Sequence, residues 1–172
     1  MGLVVDINVD SGIDPQAFRQ AMGSFATGVA IVTTAHDGEW FGMTVNSLTS
    51  VSLDPCLLLV CPRRGSATGN AIRLSGQFAI SLLSHDQQAL ATRFVGRSGT
   101  MADRFAGVDL AVSSRGLPVL RDALSNFECE VHSLSEGGDH DVVMGKVVAC
   151  QLQAGDPLVF YRGSFGNFTT SS

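Results

Sequence analysis

Short apolar runs rich in β-branched residues recur along this chain, and turn signals separate one run from the next. Residues 28–34 read GVAIVTT, residues 56–61 read CLLLVC and residues 77–83 read QFAISLL. Apolar runs of about four to eight residues bounded by Gly, Pro, Asn or Asp are typical of strands. Because such runs follow one another closely, with few helical patterns between them, they favour antiparallel strands over a parallel βαβ sheet. The sequence therefore predicts a mostly β fold, an antiparallel barrel with a few flanking helices.

Other local signals place the helices and the remaining strands. Helices are predicted over residues 14–25, 66–74 and 84–94, the first of them with one buried apolar face. Further strands are predicted over residues 40–45, 127–134, 141–152 and 158–161. The tripeptide His36-Asp37-Gly38 predicts a hairpin turn. Residues 95–122 show little periodicity and are expected to form a long loop.

Composition supports one folded domain. Of the 172 residues, 45% are hydrophobic and 16% are charged, against roughly 25% charged in an average soluble domain. A chain this apolar can offset the entropy lost on ordering, and part of its surface is expected to be hidden by self-association. No repeat or linker interrupts the pattern, so we expect an N-terminal tail over residues 1–13 and a single domain over residues 14–172.

Charge and hydropathy argue against two classes of partner. Eleven basic and sixteen acidic residues give a formal net charge of −5, which is unfavourable for nucleic-acid binding because duplex affinity depends on Lys and Arg. No apolar run reaches the roughly 18 residues of a membrane span, and the short acidic start is not typical of a signal peptide. Neither nucleic acid nor a membrane is therefore an expected partner.

The spacing of cysteine and histidine predicts no metal site. The four histidines are far apart, and the cysteines form no CxxC pair. We interpret the cysteines as small buried hydrophobic residues of a reducing compartment, expected to be the cytoplasm. They are Cys56, Cys61, Cys129 and Cys150.

One segment suggests anion binding, although the GxGxxG, GxxxxGK[ST] and GxSxG motifs are all missing. Residues 62–68 read PRRGSAT and lie between a predicted strand and a predicted helix. Free amides at a helix N-terminus, a hydroxyl cap and two guanidinium groups favour a phosphate there. The alternative is an ordinary capped helix with solvated arginines.

Two further segments carry polar groups that need partners. Residues 44–52 read TVNSLTSVS within an apolar region, and their partners are either a bound heterocycle or the segment's own turns. Residues 137–141 read GGDHD, where the histidine between two carboxylates either orients a ligand amide or stands exposed in a turn.

Read in order, a series of short blocks resembles a known family. The blocks are TGV at 27–29, GMTVNSLTSVSLDP at 42–55, RF at 93–94, DRF at 103–105, GLPVL at 116–120, EC at 128–129, GDH at 138–140, GKV at 145–147 and PLVFY at 157–161. Over about residues 15–168, this order is similar to the flavin reductase family. Its members are small NAD(P)H:flavin oxidoreductases that serve as reductase components of two-component flavin monooxygenases.

The resemblance implies a homodimeric split β-barrel of the Greek-key, FMN-binding type. It also implies that the protein binds FMN or FAD, uses NADH or NADPH as co-substrate, and passes reduced flavin to a monooxygenase partner. Because the hydride moves between cofactors, no catalytic side chain and no metal are expected. The resemblance leaves open the choice between FMN and FAD and between NADH and NADPH.

The resemblance also implies roles for individual residues. Flavin contacts are implied for Met43, Thr44, Val45, Asn46, Ser47, Ser50, Cys61, Arg64, Ser66, Ala67, Thr68, Phe94 and Arg97. NADH contacts are implied for Asp139, His140 and Phe165. Thr44, Asn46 and Ser47 are expected to donate hydrogen bonds to the flavin ring. Ser66 and Thr68, with either Arg63 or Arg64, are expected to hold the flavin phosphate.

Two alternative functions remain open at this point. A non-catalytic, flavin-binding electron-transfer protein would use the same barrel without a productive nicotinamide site. An enzyme like pyridoxamine-phosphate oxidase would need a basic cluster for a second phosphate, and the sequence shows only the pair Arg63-Arg64 clearly.

Overall fold

The computed structural model describes residues 12–96 and 99–168. The helices within this part are α1 (Pro15–Met22), α2 (Ala67–Ser75), α3 (Gln88–Val95) and α4 (Met101–Phe105), and a 3-10 turn covers His85–Gln87. The strands are β1 (Thr27–Gly28), β2 (Ala30–His36), β3 (Glu39–Val45), β4 (Thr49–Leu53), β5 (Cys56–Val60), β6 (Gln77–Leu82), β7 (Leu110–Val112), β8 (Pro118–Leu120), β9 (Ser125–Gly137), β10 (His140–Leu152), β11 (Leu158–Tyr161) and β12 (Ser164–Asn167).

The largest sheet has seven strands in the order β3-β2-β6-β9-β10-β5-β4, and neighbouring strands are antiparallel. A three-stranded sheet has the order β1-β11-β12, and β7 pairs with β8. The prediction of a mostly β, antiparallel chain is confirmed. The described sheets are not closed into a barrel, because β3 and β4 lie at opposite edges of the large sheet and do not pair with each other.

Burial of β2 on both faces explains why residues 29–32 are all apolar. Side chains alternate between the two faces of a strand, so Ala30 and Val32 enter one hydrophobic cluster while Val29 and Ile31 enter another. The first cluster also contains Phe78 of β6, and the second is closed by helices α3 and α4. In a strand buried on both faces a polar side chain needs a partner, and the buried Thr33 hydroxyl donates to the Pro118 carbonyl.

Local signals fixed several element boundaries as expected. The Asp14 carboxylate accepts a hydrogen bond of 3.0 Å from the Ala17 amide and caps α1. The β2–β3 hairpin turns at Asp37 and Gly38, whose φ angles of 51° and 79° lie in the left-handed region. Asp and Gly tolerate this region better than most residues, which is why the tripeptide was a reliable turn signal.

The predicted loop over residues 95–122 is wrong, because the structure places α4 and the β7–β8 hairpin there. A reciprocal cap begins α4: the Asp103 amide donates to the Thr100 hydroxyl at 3.2 Å, and the Thr100 amide donates to the Asp103 carboxylate at 2.7 Å. The Asn126 side chain donates to the Leu120 carbonyl at 2.8 Å and so attaches β8 to the large sheet. The spacing from Thr100 to Asp103 was a sequence signal for this helix.

The burial expected for two groups of residues is also wrong. Helix α1 has no buried residue, and its Phe18 and Met22 side chains are about half exposed, at 53% and 51%. Among the cysteines, Cys56 and Cys150 are exposed and Cys129 is buried. Burial and the nearby Glu128 raise the pKa of the Cys129 thiol to about 12. Among the described residues, no helix combines the length and apolar character needed to cross a lipid bilayer.

Candidate functional site

The polar segment over residues 44–52 begins at the end of β3 and contains one side-chain amide, that of Asn46. The Thr44 hydroxyl donates to the Ala91 carbonyl of α3 at 2.7 Å. Val45 is buried, whereas Asn46 is exposed and its side chain makes no hydrogen bond to any described residue. Asn46 is therefore the member of this segment whose amide is available to a ligand.

Two cavities flank Asn46. The smaller one, about 160 Å³, has mainly apolar walls; its lining residues are Val29, Thr44, Val45, Asn46, Val95, Phe160 and Phe165. The Phe160 and Phe165 rings meet edge to face, with centroids 5.4 Å apart. The larger cavity, about 360 Å³, lies between residues 25–30, Asn46, Leu48 and Leu82. We call the pair the ring cavity, because apolar walls with one free amide suit a flat heterocycle.

Ser47 joins this segment to the end of β5. Its hydroxyl accepts a hydrogen bond of 3.1 Å from the Cys61 amide and lies 3.4 Å from the Cys61 carbonyl. Partial burial raises the pKa of the Cys61 thiol. Ser47 therefore fixes the chain path that leads from the ring cavity into residues 62–66.

Residues 62–66 form the turn that begins α2. Gly65 has a φ of 74°, and the Ser66 hydroxyl accepts a hydrogen bond of 3.2 Å from the Gly69 amide. Ser66 is thus the helix N-cap. Ala67, the first helical residue, is exposed, and Thr68 is buried. An exposed helix N-terminus of this kind favours an anion.

The turn of the β9–β10 hairpin packs directly against this loop. The Arg64 amide donates to the Asp139 carbonyl at 3.0 Å, and the Asp141 amide donates to the Pro62 carbonyl at 2.9 Å. Residues 62–66 and 139–141 together form what we call the anion corner. Two segments that the sequence suggested separately are therefore one site.

His140 is oriented by its neighbour. Its Nδ1 lies 2.8 Å from an Asp139 carboxylate oxygen. This hydrogen bond and the electrostatic effect of the neighbouring imidazole lower the pKa of Asp139. With Nδ1 engaged, Nε2 is the ring nitrogen left for a ligand.

Asp141 is the buried carboxylate of the anion corner. It accepts a hydrogen bond of 3.0 Å from Arg73, and Arg64 Nε lies 3.8 Å from its other oxygen. Arg64 also contacts Glu136 at 2.8 Å. Because Arg64 already faces two carboxylates, Arg63, which has no ion pair with the described carboxylates, is the freer guanidinium for a bound anion.

The structure distributes the sequence-predicted residues over these two places. Thr44, Val45, Asn46 and Phe165 line the ring cavity. Arg64, Ser66, Asp139 and His140 lie at the anion corner, and Ala67 follows it as the first residue of α2. Ser47 and Cys61 connect the two. Ser50 is exposed on edge strand β4, and Arg97 lies outside the described residues.

Three of the predicted flavin contacts lie in or against the core. Phe94 has no exposed surface and packs edge to face on Phe105, with centroids 5.1 Å apart. It belongs to the second hydrophobic cluster and has no surface exposed to a ligand. Thr68 is 2% exposed, and Met43 packs against a core cluster. The side chains of Thr68 and Met43 therefore pack within the protein and not toward a ligand.

Sequence reasoning missed three residues of the smaller part of the ring cavity, namely Val29, Val95 and Phe160. It also missed the lining of the larger part over residues 25–30. Phe160 and Phe165 are cross-strand partners in the β11–β12 hairpin. The pair Arg162-Gly163 was a turn signal for this hairpin. Recognising it would have placed the two aromatic rings on one face.

Comparisons with known proteins identify the family of this chain. A family model described as a flavin reductase like domain matches residues 22–169. HsaB, the reductase subunit of a flavin-dependent monooxygenase from Rhodococcus jostii, is 40% identical over 154 residues, which cover 89% of this chain and 77% of the relative. The FMN reductase (NADH) SmoA from Agrobacterium fabrum is 40% identical over 161 residues, which cover 94% of this chain and 90% of the relative.

A solved structure is similar over nearly the whole chain. It is an NADH:FAD oxidoreductase from Streptomyces globisporus in complex with NAD and FAD fragments. The superposition has a TM-score of 0.85 at 34% sequence identity and covers 91% of this chain and 96% of that one.

Replacing Asp141 with Asn tests how strongly the anion corner contributes to stability. Asp141→Asn removes the buried charge shared by Arg64 and Arg73. We expect it to lower the free energy of unfolding by about 1–3 kcal/mol, measured by urea denaturation. Asp109→Asn is the matched control, because the exposed Asp109–Arg121 pair should change stability by no more than about 0.5 kcal/mol. Equal effects of the two substitutions would contradict this assignment.

Proposed function

The chain belongs to the flavin reductase like domain family, and on that premise we propose that it reduces FMN or FAD with NADH or NADPH. We propose further that the reduced flavin is delivered to a partner monooxygenase, as the name of the Rhodococcus relative suggests. The observation that carries the proposal is the ring cavity with its single free amide at Asn46, joined to an anion corner through Ser47 and Cys61.

The residues of the ring cavity fit an isoalloxazine. Val29, Val95 and the paired Phe160 and Phe165 offer apolar walls, which suit a flat aromatic ring. The free Asn46 side chain supplies both a donor and an acceptor for ring carbonyl and nitrogen atoms. When bound, the flavin supplies the hydride acceptor, and the nicotinamide supplies the hydride.

The hydroxyl groups beside Asn46 have narrower roles than the sequence suggested. Thr44 donates its proton to Ala91, so its oxygen can face a ligand only as an acceptor. Ser47 is occupied by the Cys61 backbone. We therefore assign side-chain donation toward the flavin ring to Asn46 and leave Thr44 and Ser47 the task of holding the segment in place.

The anion corner fits a phosphate. The α2 N-terminus presents amides, Ser66 caps the helix and Arg63 is free of ion pairs with the described carboxylates. These groups would bind the flavin phosphate by charge and by hydrogen bonds. His140, held by Asp139, would receive the nicotinamide amide at Nε2.

The chain's part in the reaction is to hold two flat rings in register and to keep water from them. Orientation of this kind contributes several kcal/mol when reacting atoms are held about 3–3.5 Å apart. The apolar walls exclude water from the reacting faces. No side chain of the site needs to gain or lose a proton for a hydride to pass.

The direct test is to mix purified protein with NADH and excess FMN or FAD in the absence of oxygen. We expect the absorbance of NADH and that of oxidised flavin to fall together, with one mole of flavin reduced per mole of NADH consumed. Each protein molecule should complete many such turnovers. A protein that binds flavin but leaves NADH unconsumed would be the electron-transfer carrier, and the proposal would be wrong.

Three further features are part of the proposal. Large apolar side chains are exposed on β4 and β10, with Leu53 at 86% and Leu152 at 83%; they support a homodimer, in which the strands of the large sheet form the split barrel of the family. The dimer predicts a sedimenting mass twice the 18.1 kDa of one chain.

All four cysteines are free thiols, which supports a cytoplasmic location, testable by cell fractionation.

Asn46→Leu tests the free amide of the ring cavity. Leucine has a similar size but leaves ring polar atoms unpaired, so flavin binding should weaken by about 1–3 kcal/mol. Fluorescence titration with FMN and FAD measures the change in Kd. Asn167→Leu is the control, because Asn167 is exposed on β12 and does not line the ring cavity. An unchanged Kd for Asn46→Leu would remove this contact from the proposal.

His140→Ala tests the nicotinamide role. Losing one hydrogen bond of about 1 kcal/mol should raise the KM for NADH about fivefold, while the flavin Kd changes by less than about twofold. His85→Ala, which removes an exposed histidine of the 3-10 turn, should alter neither value. Equal losses of NADH and flavin affinity would show that His140 has a different role.

A further inference from the structure

A cleft of about 680 Å³ lies between α1 and the turn that joins β11 to β12. Arg19 and Arg162 line it from opposite elements, with Gln20 and Ser24 beside them. The cleft is separate from the ring cavity and the anion corner, because it shares no lining residue with either.

The two arginines differ from most others in this chain in what their guanidinium groups contact. Four arginines pair with carboxylates, and two donate to backbone carbonyls; they are Arg64, Arg73, Arg115 and Arg121, then Arg93 and Arg104. Among the described residues, neither Arg19 nor Arg162 has such a partner. In a chain with more acidic than basic residues, two arginines that share one cleft, with no carboxylate among its described lining residues, form a local positive site.

Arg162 occupies a backbone position that suits it poorly. Its φ is 47° and that of Gly163 is 81°, nearly the values of Asp37 and Gly38 in the β2–β3 turn. Left-handed backbone costs a residue like arginine about 1 kcal/mol, whereas Asp and Asn tolerate it better. The same turn is therefore built once with a favoured residue and once with an unfavoured one.

The surrounding contacts hold Arg162 in this position. Its amide donates to the Gly23 carbonyl at 2.9 Å, which ties the turn to the end of α1. Its guanidinium carbon lies 5.2 Å from the centre of the Tyr161 ring. The strained turn and the tyrosine together keep the charge at the mouth of the cleft.

We propose that Arg19 and Arg162 bind a phosphate group of the nucleotide substrate, at a second anion site distinct from the anion corner. This inference rests on the proposed function, because a dinucleotide carries phosphates away from its reacting ring. The β11–β12 hairpin connects the ring cavity with the cleft. Phe160 and Phe165 line the ring cavity, and Arg162 follows Phe160 by two residues. Two residues of extended chain span about 7 Å at most, a distance that a dinucleotide bridges.

Binding of nucleotide fragments tests the site without relying on turnover. The probes are ADP, 2′-AMP and inorganic phosphate, titrated calorimetrically into the full chain. Arg162→Asn removes the guanidinium and places a favoured residue in the turn, and Arg19→Gln keeps a good helix former. Arg121→Gln is the control, since it removes an exposed arginine elsewhere. Thermal unfolding confirms that each variant is folded.

We expect each cleft substitution to weaken nucleotide binding by about fivefold or more, the loss of one charge-assisted hydrogen bond. Arg121→Gln should change it by less than about twofold. Preference for ADP would identify a diphosphate of FAD or the dinucleotide as the occupant, and preference for 2′-AMP would identify the 2′-phosphate of NADPH. In the first case the cleft substitutions should raise the KM for FAD more than that for FMN, or raise the KM for NADH and NADPH alike. In the second case they should raise the KM for NADPH more than that for NADH.

Two results would overturn the inference. One is an unchanged nucleotide affinity in both Arg162→Asn and Arg19→Gln. The other is wild-type protein that binds inorganic phosphate as tightly as either nucleotide, which would indicate an adventitious anion only. Failure of the proposed function would look different, because NADH would then remain unconsumed by wild-type protein and flavin whatever the fragments bind.

Discussion

The pairing of β9 with β10 is the constraint on which the rest of the architecture depends. Each strand has thirteen residues, and together they stand inside the seven-stranded sheet between β6 and β5. Gly145 allows this close packing: a Cβ there would overlap the Phe78 ring and lie 2.9 Å from the Cβ of Cys129. The turn of this long hairpin then reaches the loop before α2, so the sheet itself determines where His140 meets the helix N-terminus.

The site is accordingly a chain of short-range links and not a single pocket. The ring cavity lies where β3 ends, Ser47 connects it to the end of β5, and two backbone hydrogen bonds connect residues 62–64 to the hairpin turn. Each link joins segments that are distant in sequence. Under the proposed function a flavin ring and its phosphate are held at a fixed separation, and backbone links of this kind would set that separation.

Local features of the fold were predictable, and the long-range contacts were not. The apolar run at 28–34, the caps at Asp14 and Ser66 and the Asp37-Gly38 turn carry their own signals, and the structure has an element at each. The contact of Arg64 with Asp139 joins residues far apart in sequence, and no local pattern encodes it. The family resemblance implied a flavin contact for Phe94, and a short motif does not say that its ring is buried against Phe105 in this chain. Exposed apolar side chains such as Phe18 show the same limit, because a sequence pattern does not say what covers a helix face.

The hydrogen bond from Thr44 to Ala91 has a consequence for ligand affinity. It fastens one wall of the ring cavity to α3, the helix that supplies Val95 to the opposite side. Cavity walls that are already joined in the free protein lose little conformational entropy when a ligand binds. The entropic cost of binding is therefore lower than it would be with flexible side chains. The conformational entropy lost on binding then comes mainly from the flexible tail of the ligand. A small protein can therefore bind a large planar molecule with few polar contacts.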